Sequence, residues 1–284
     1  TYARLDGWTP PADGFDPDHP EGQPPSSDNQ LDRWVVSRLD QAITLVEKGV
    51  DASDFASAAL AVNAFLDDLT NWYVRRSRRR FWKSTMDADS QVAYGTLYYI
   101  LVRLARTLAP FTPFVTEVIY QNLVRGMYPQ AHHSIHHTRW PQVGPARKDD
   151  SLLEQMSLAR RVASLGLSAR SGANLKVRQP LSKVLVYAGP SAGGAALRPE
   201  LVEIVIDELN VKAFEFVEEE GRLVNYKVLP DNKLLGPRFG ARFPQARTAL
   251  ASADPAKVAA CVRAGLSYPL EVAGETVDLS PEEI

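Results

Sequence analysis

Between Asn71 and Ser84 the chain reads NWYVRRSRRRFWKS, with six cations, four aromatic residues (Trp72, Tyr73, Phe81, Trp82) and no acid. Guanidinium forks bond phosphate oxygens and flat side chains stack on unpaired bases, so this mixture suits contact with nucleic acid, RNA above all. Like charges three and four residues apart on a helix repel by roughly 0.2–0.5 kcal/mol per pair, a repulsion that a bound polyanion relieves. The plainer alternative is a solvated face with Trp72 and Phe81 packed inward. At about 100° per residue, and with Leu69 marking the core direction, Tyr73, Arg76 and Arg80 turn inward, where the two arginines need partner carboxylates. Arg75, Arg78, Arg79 and Lys83 are left as candidates for an external anion, with Trp72, Phe81 and Trp82 as candidate stacking surfaces.

Other reactive residue types are weaker signals. The run HHSIHH places His132, His133, His136 and His137 at a spacing that binds metal on a helix, but Pro129 and Pro141 flank it and no nearby Asp, Glu or Cys completes a site. No metal is expected. Asp67 and Asp68 are adjacent and diverge on a helix, and Glu218 to Glu220 border a turn at Gly221, so neither set makes an acid–base pair. No nucleophile elbow or phosphate-binding glycine loop occurs. Two basic turns remain, KVRQP with Lys176 and Arg178, and GPRFGAR with Arg238 and Arg242.

The elements that must carry these groups follow from periodicity. The 284 residues, 45% hydrophobic, suffice for a core and suggest two domains. A net charge of −2 confines any affinity for nucleic acid to local clusters. One cysteine, Cys261, excludes internal disulfides and a Cys-rich zinc site, and no apolar run reaches membrane-spanning length. A cytosolic location and no membrane partner are therefore expected.

Residues 1–30 hold six prolines between Pro10 and Pro25 and read as an extended linker from a missing part of a longer chain. Residues 31–145 carry four amphipathic patterns. The first is capped at Ser27 or Asp28 and stopped at Gly49; the second runs from Ser53 or Asp54 into the basic stretch; the third covers 89–109 and the fourth 112–126. Short connectors make an antiparallel bundle the economical arrangement. Residues 146–284 begin with a helix near 151–169. Strand patterns follow in LSKVLVYAG, VKAFEFVEE, LVNYKVLP, YPLEVAG and ETVDL, interleaved with helices but without regular βαβ alternation. The fold class expected is mainly α, a helical bundle followed by a small α+β domain.

DDLTNWYVRRSRRRFWKS, then LYYILVRLARTLAPFTPFVTEVIYQNL, then SIHHTRWP resembles the anticodon-binding bundle of class I aminoacyl-tRNA synthetases of the isoleucine, valine and leucine group. ANLKVRQPLSKVLVYA, DELNVKAFEFVE and KLLGPRFGARFPQA are similar to the C-terminal region of the isoleucyl branch that lacks a Cys-rich zinc module. The resemblance covers residues 31–284 with its motifs in order. It implies tRNA as partner, held by Trp72, Arg75, Arg78, Arg79, Phe81, Trp82 and Lys83, with Lys176, Arg178, Arg238 and Arg242 as secondary contacts. It also implies a monomer whose catalytic and editing domains lie elsewhere on the polypeptide. ATP and magnesium serve those domains, and no cofactor belongs to this region. HIGH- and KMSKS-like signatures are absent, so this stretch is expected not to aminoacylate, and the end at SPEEI reads as truncated. A valine- or leucine-specific relative, or a protein–protein scaffold whose arginines meet an acidic surface, remain the alternatives.

Overall fold

A computed structural model describes residues 2–11, 13–83, 85–144, 149–187, 197–217 and 228–284. These are mainly α-helical. In order they form α1 (Tyr2–Leu5), α2 (Gln30–Asp51), α3 (Phe55–Asp67), a π-helical segment at Asp68–Val74, α4 (Arg78–Phe81), α5 (Ala88–Leu108) and α6 (Pro113–Tyr120). A second π-helical segment (Gln121–Arg125), a 3-10 turn (Ile135–His137) and α7 (Asp150–Gly172) follow. The remainder comprises β1 (Val184–Tyr187), α8 (Pro199–Leu209), β2 (Phe214–Val217), α9 (Asn232–Phe239), α10 (Phe243–Ser252), α11 (Pro255–Arg263), β3 (Tyr268–Val272) and β4 (Glu275–Leu279). The chain divides into two compact units, Thr1–Leu165 with Leu197–Val205, and Gly166–Ala196 with Ile206–Ile284. That division passes through α7 and α8, whereas the sequence suggested a break near 145.

In the first unit α2 packs on α3 and α5. Trp34, Val35, Leu39, Ile43, Phe65, Tyr99 and Ile100 are buried, each aliphatic or aromatic side chain contributing about 1.5–3 kcal/mol. The α2 cap is Asn29, whose side chain accepts from the Leu31 amide at 2.9 Å, one residue beyond the expected Asp28. Ser27 instead donates to Asp32 at 2.7 Å. Gly49 does not stop the helix, which runs on to Asp51. Its lack of a side chain lets α3 close in: a Cβ there would sit 2.9 Å from the Asp54 carbonyl oxygen and 3.0 Å from the Ala58 Cβ. Asp54 caps α3 through the Ser57 amide, one of the two residues expected.

The segment before α2 departs from the expected loose linker. Trp8 and Phe15 pack against the cluster of Tyr98, Tyr120, Tyr128 and Ile135. Glu21 is only 6% exposed and meets the Arg106 guanidinium at 2.5 Å. Proline content describes how the free chain behaves, but α5 and the turn at Tyr128 offer aromatic surface together with hydroxyl donors, and these hold the segment.

In the second unit β1 and β2 pair in parallel, Val184 opposite Phe214 and Tyr187 opposite Val217, with α8 between them. This is a single parallel pair with a helix between its strands in the chain, not a regular βαβ alternation. Gly166 in α7 faces Leu209 at the end of α8, closely enough that a Cβ would lie 2.6 Å from the leucine Cδ1. β3 and β4, two of the expected strands, form an antiparallel hairpin, turned by Ala273 and Gly274 at φ 54° and 87°, the left-handed backbone that a two-residue turn requires. Leu235, Leu250, Leu270, Val272 and Leu279 make the core beneath it. Glu218 to Glu220 and most of the expected strand LVNYKVLP fall on 218–227, outside the described residues.

Candidate nucleic-acid interface

The basic stretch is not one continuous α-helix. A π-helical segment covers Asp68–Val74, Ser77 marks a bend, and the four residues of α4 follow. Ser77 is fully buried, and its carbonyl accepts from the amides of Arg80 and Phe81. The rotation per residue is smaller in a π-helix than in an α-helix, so the segment resets which side chains of the following turns face inward.

Of the two arginines expected to turn inward, Arg76 is half-buried against Trp72 and Arg80 is buried. Its Nη1 and Nη2 donate to the two Asp32 oxygens at 2.7 and 2.8 Å, and its Nε donates to Asp89 at 2.9 Å. Burial opposes the charge, but the Asp32 hydrogen bonds and Coulomb attraction outweigh it and raise the Arg80 pKa. Tyr73 donates to the same carboxylate at 2.8 Å, and its own pKa is pushed well up by burial and by the Asp32 charge. Asp32 thus accepts from Ser27, Tyr73 and Arg80.

Three residues expected at the interface are placed differently. Trp72 is 7% exposed, and the guanidinium carbons of Arg75, Arg76 and Arg160 lie 5.9, 5.4 and 5.6 Å from its ring. Phe81 is 8% exposed and packs on Tyr94 at 5.3 Å between centroids. Neither ring offers a face to a base, because the apolar surface is worth more in the core than in water. Lys83 donates to Asp87 at 2.5 Å and to Asp89 at 3.4 Å, and the Asp87 hydrogen bond raises its pKa. Asp87 and Asp89, which open α5, are the acids that the basic stretch itself lacks.

The others do face solvent. Trp82 is 62% exposed, and the Arg78 guanidinium carbon sits 5.6 Å from its ring centroid, a cation–π arrangement. Arg79 is exposed, and among the described residues no acid pairs with Arg78 or Arg79. Arg75 is exposed too, with its Nε donating to the Asn71 carbonyl at 2.8 Å. The first unit therefore exposes Arg78, Arg79 and Trp82 close together along α4 and its C-terminal end, with Arg75 exposed before the break at Ser77.

The two basic turns belong to the second unit. Lys176 and Arg178 are exposed on a loop shaped by buried Arg170, whose Nη2 donates to the carbonyls of Lys176 and Val177 at 2.8 and 3.2 Å and to that of Gln179. Arg238 is held by both Glu283 oxygens at 2.7 and 2.6 Å, and Arg242 by Glu275 at 2.9 Å. These two arginines are engaged with the protein's own acids, unlike the free contacts expected of them. In the histidine run, His132 meets Asp18 at 2.9 Å, and among the described residues no three His, Cys, Asp or Glu side chains gather as metal ligands.

The sequence reading missed a buried ion network on α5. Arg103 donates to Asp40 at 2.9 Å and Arg106 to Glu21 at 2.5 Å, with all four residues almost fully buried. The signal was present in LVRLARTLAP, where two cations interrupt an apolar run and must find carboxylates. Arg160 was missed as well; it bonds Asp68 at 2.5 Å and covers both Trp34 and Trp72.

The chain is 40% identical over its whole length to the isoleucine–tRNA ligase of Thermus thermophilus, covering 26% of that protein. It is 40% identical over 91% of its length to the isoleucine–tRNA ligase of Clostridium acetobutylicum, covering 24% of that protein, and 47% identical over 80% to that of Dehalococcoides mccartyi, covering 21%. It thus spans about a quarter of the length of these relatives. The family model described as the anticodon-binding domain of tRNA ligase matches residues 32–185, more than half of the chain, and takes in α3 to α7, with the basic stretch among them, and most of α2. The chain belongs to the family of anticodon-binding domains of tRNA ligases.

Proposed function

We propose that this chain is the tRNA-holding part of an isoleucine–tRNA ligase, gripping the anticodon stem-loop while catalytic and editing domains elsewhere on the polypeptide use ATP and magnesium to join isoleucine to the tRNA. The observation that carries the reading is the outward set on α4: Arg78 over exposed Trp82, with Arg79 beside them, while Arg80 alone is consumed by Asp32. Two guanidinium groups suit backbone phosphates, and Trp82 with its arginine suits an unpaired base. Lys176 and Arg178 supply further positive charge on the second unit, and Arg75 remains a phosphate contact beside the core Trp72. Isoleucine is favoured over valine or leucine by the names of the relatives.

The fold reading is that α2, α3 with its π-helical extension, α5 and α6 alternate in direction as an antiparallel bundle. Ion pairs from α2 support it: Asp32 bonds Arg80, which also bonds Asp89 at the start of α5, and Asp40 bonds Arg103 near its end, so α2 and α5 run the same way.

Replacing Arg78 and Arg79 together by Glu should weaken binding of isoleucine tRNA at least tenfold, about 1.4 kcal/mol. The melting temperature should stay unchanged, because both side chains are exposed. Equal affinity for the variant and the parent chain would refute the reading. Acidic-protein binding that rivals tRNA would favour a scaffold instead.

A further inference from the structure

We infer that the segment from Tyr2 to Asn29 is a rigid strut, clamped along α5 by Glu21 and Arg106, that fixes the distance between the RNA-gripping helix and the domains preceding it in a longer polypeptide. This rests on the function proposed above. As a free coil, a segment of this length would have a root-mean-square span of roughly 30 Å and would let its two ends wander by comparable distances. The structure instead ties it at successive points. Tyr94 donates to Asp6 at 2.6 Å, and the same hydroxyl oxygen lies 2.8 Å from the Phe81 carbonyl, so a single phenol sits between the start of the strut and the end of α4. Tyr128 donates to the Pro11 carbonyl at 2.7 Å and stacks its ring on Phe15 at 4.1 Å. Tyr98 donates to the Pro20 carbonyl at 3.2 Å.

Midway, Asp18 accepts from His132 at 2.9 Å and from Arg139 at 3.0 Å, while its carbonyl accepts from Arg106. Glu21 then enters the buried network, 2.5 Å from Arg106 and 3.8 Å from Arg103. Ser27 ends the strut on Asp32, the carboxylate that also anchors Arg80. Both ends of the segment therefore reach the base of the helix that presents Arg78 and Trp82. A buried carboxylate with two arginines is a poor way to gain stability alone, since an apolar cluster of the same volume does as well or better. It is an effective way to specify one register, because any slip leaves a charge unpaired. Gly95 shows how close the fit is: a Cβ there would meet the Pro25 ring at 2.8 Å and Trp8 at 4.0 Å.

The strut makes Glu21, Arg106 and Gly95 positioning residues, which touch neither tRNA nor the reacting groups. The test uses the full-length polypeptide. Gly95→Ala places a better helix former in α5 while wedging the strut outward, and Glu21→Gln removes the clamp charge at constant volume. Three quantities are compared: isoleucine-dependent pyrophosphate exchange, affinity for isoleucine tRNA, and kcat for charging. Misplacing reacting groups by about an ångström can cost up to a hundredfold, so charging should fall about tenfold or more. Pyrophosphate exchange and tRNA affinity should stay within about twofold, the pattern of an interaction used only to align the two ends. Unchanged charging in both variants would overturn the inference, and so would a parallel loss of charging, tRNA affinity and melting temperature, which marks a purely structural ion pair. The unmodified polypeptide decides the underlying reading separately: failure to charge isoleucine tRNA at all would remove the proposed function, whatever the variants do.

Discussion

Arg78, Arg79 and Arg80 are consecutive and chemically identical, yet Asp32 makes one of them structural and leaves two in water. Replacing Asp32 by Ala would strand a buried guanidinium and a buried phenol, so unfolding in urea should show a loss of about 3–5 kcal/mol. Trp82→Ala removes only an exposed ring; stability should hold, and affinity for single-stranded RNA of the anticodon loop should drop by about 1–3 kcal/mol if a base stacks there. At this scale the sequence was legible for the three consecutive arginines and poorly so for Lys83, whose acids lie on α5, and for rings. Helical phase alone separated Arg80 from Arg78, because an inward charge needs a carboxylate. Trp72 and Phe81 could not be told from Trp82 in the same way, since an aromatic ring is equally at home in a core or on a base, and which it does depends on neighbours such as Tyr94 and Arg160 that lie far along the chain.

The helices themselves followed from apolar spacing and caps, and their corrections have local causes. Gly49 looked like a stop signal but is a contact residue for α3. Gly49→Ala should therefore destabilise the protein by up to about 2 kcal/mol, because steric overlap of about 1–3 kcal/mol matches or exceeds the roughly 1 kcal/mol gained in helix propensity; a raised melting temperature would contradict the packing described. The π-helical segment at Asp68–Val74 had no signature in the pattern of apolar residues, as one extra residue per turn leaves the inward face populated. The link from α5 to the N-terminal segment brings a pH dependence. Burial and the Asp6 hydrogen bond push the Tyr94 phenol up to about 12. A raised folded pKa contributes stability below the unfolded value near 10, which is lost as pH climbs through 12. Tyr94→Phe should thus be less steeply destabilised between those two pH values, as chemical denaturation at each pH would show.

Across the whole chain, a helix-rich first unit carrying the basic helix and a second unit mixing helices with two small sheets were readable from the change in periodicity after Gly172. What composition misjudged was the N-terminal segment, because proline counts describe a free chain and not one that finds Tyr98, Tyr128 and Arg106 waiting. Distribution of charge matters more than its sum here: a molecule at −2 overall keeps two neighbouring arginines unpaired among the described residues while spending Arg80, Arg103, Arg106 and Arg238 on its own acids. The most direct measurement is the affinity of the chain for isoleucine tRNA as a function of salt. With three to four phosphate contacts the account predicts a log–log slope of about −2 to −4, made shallower by about 1.5 when Arg78 and Arg79 are both replaced by Glu. A flat dependence, or a slope that the double variant leaves untouched, would contradict it.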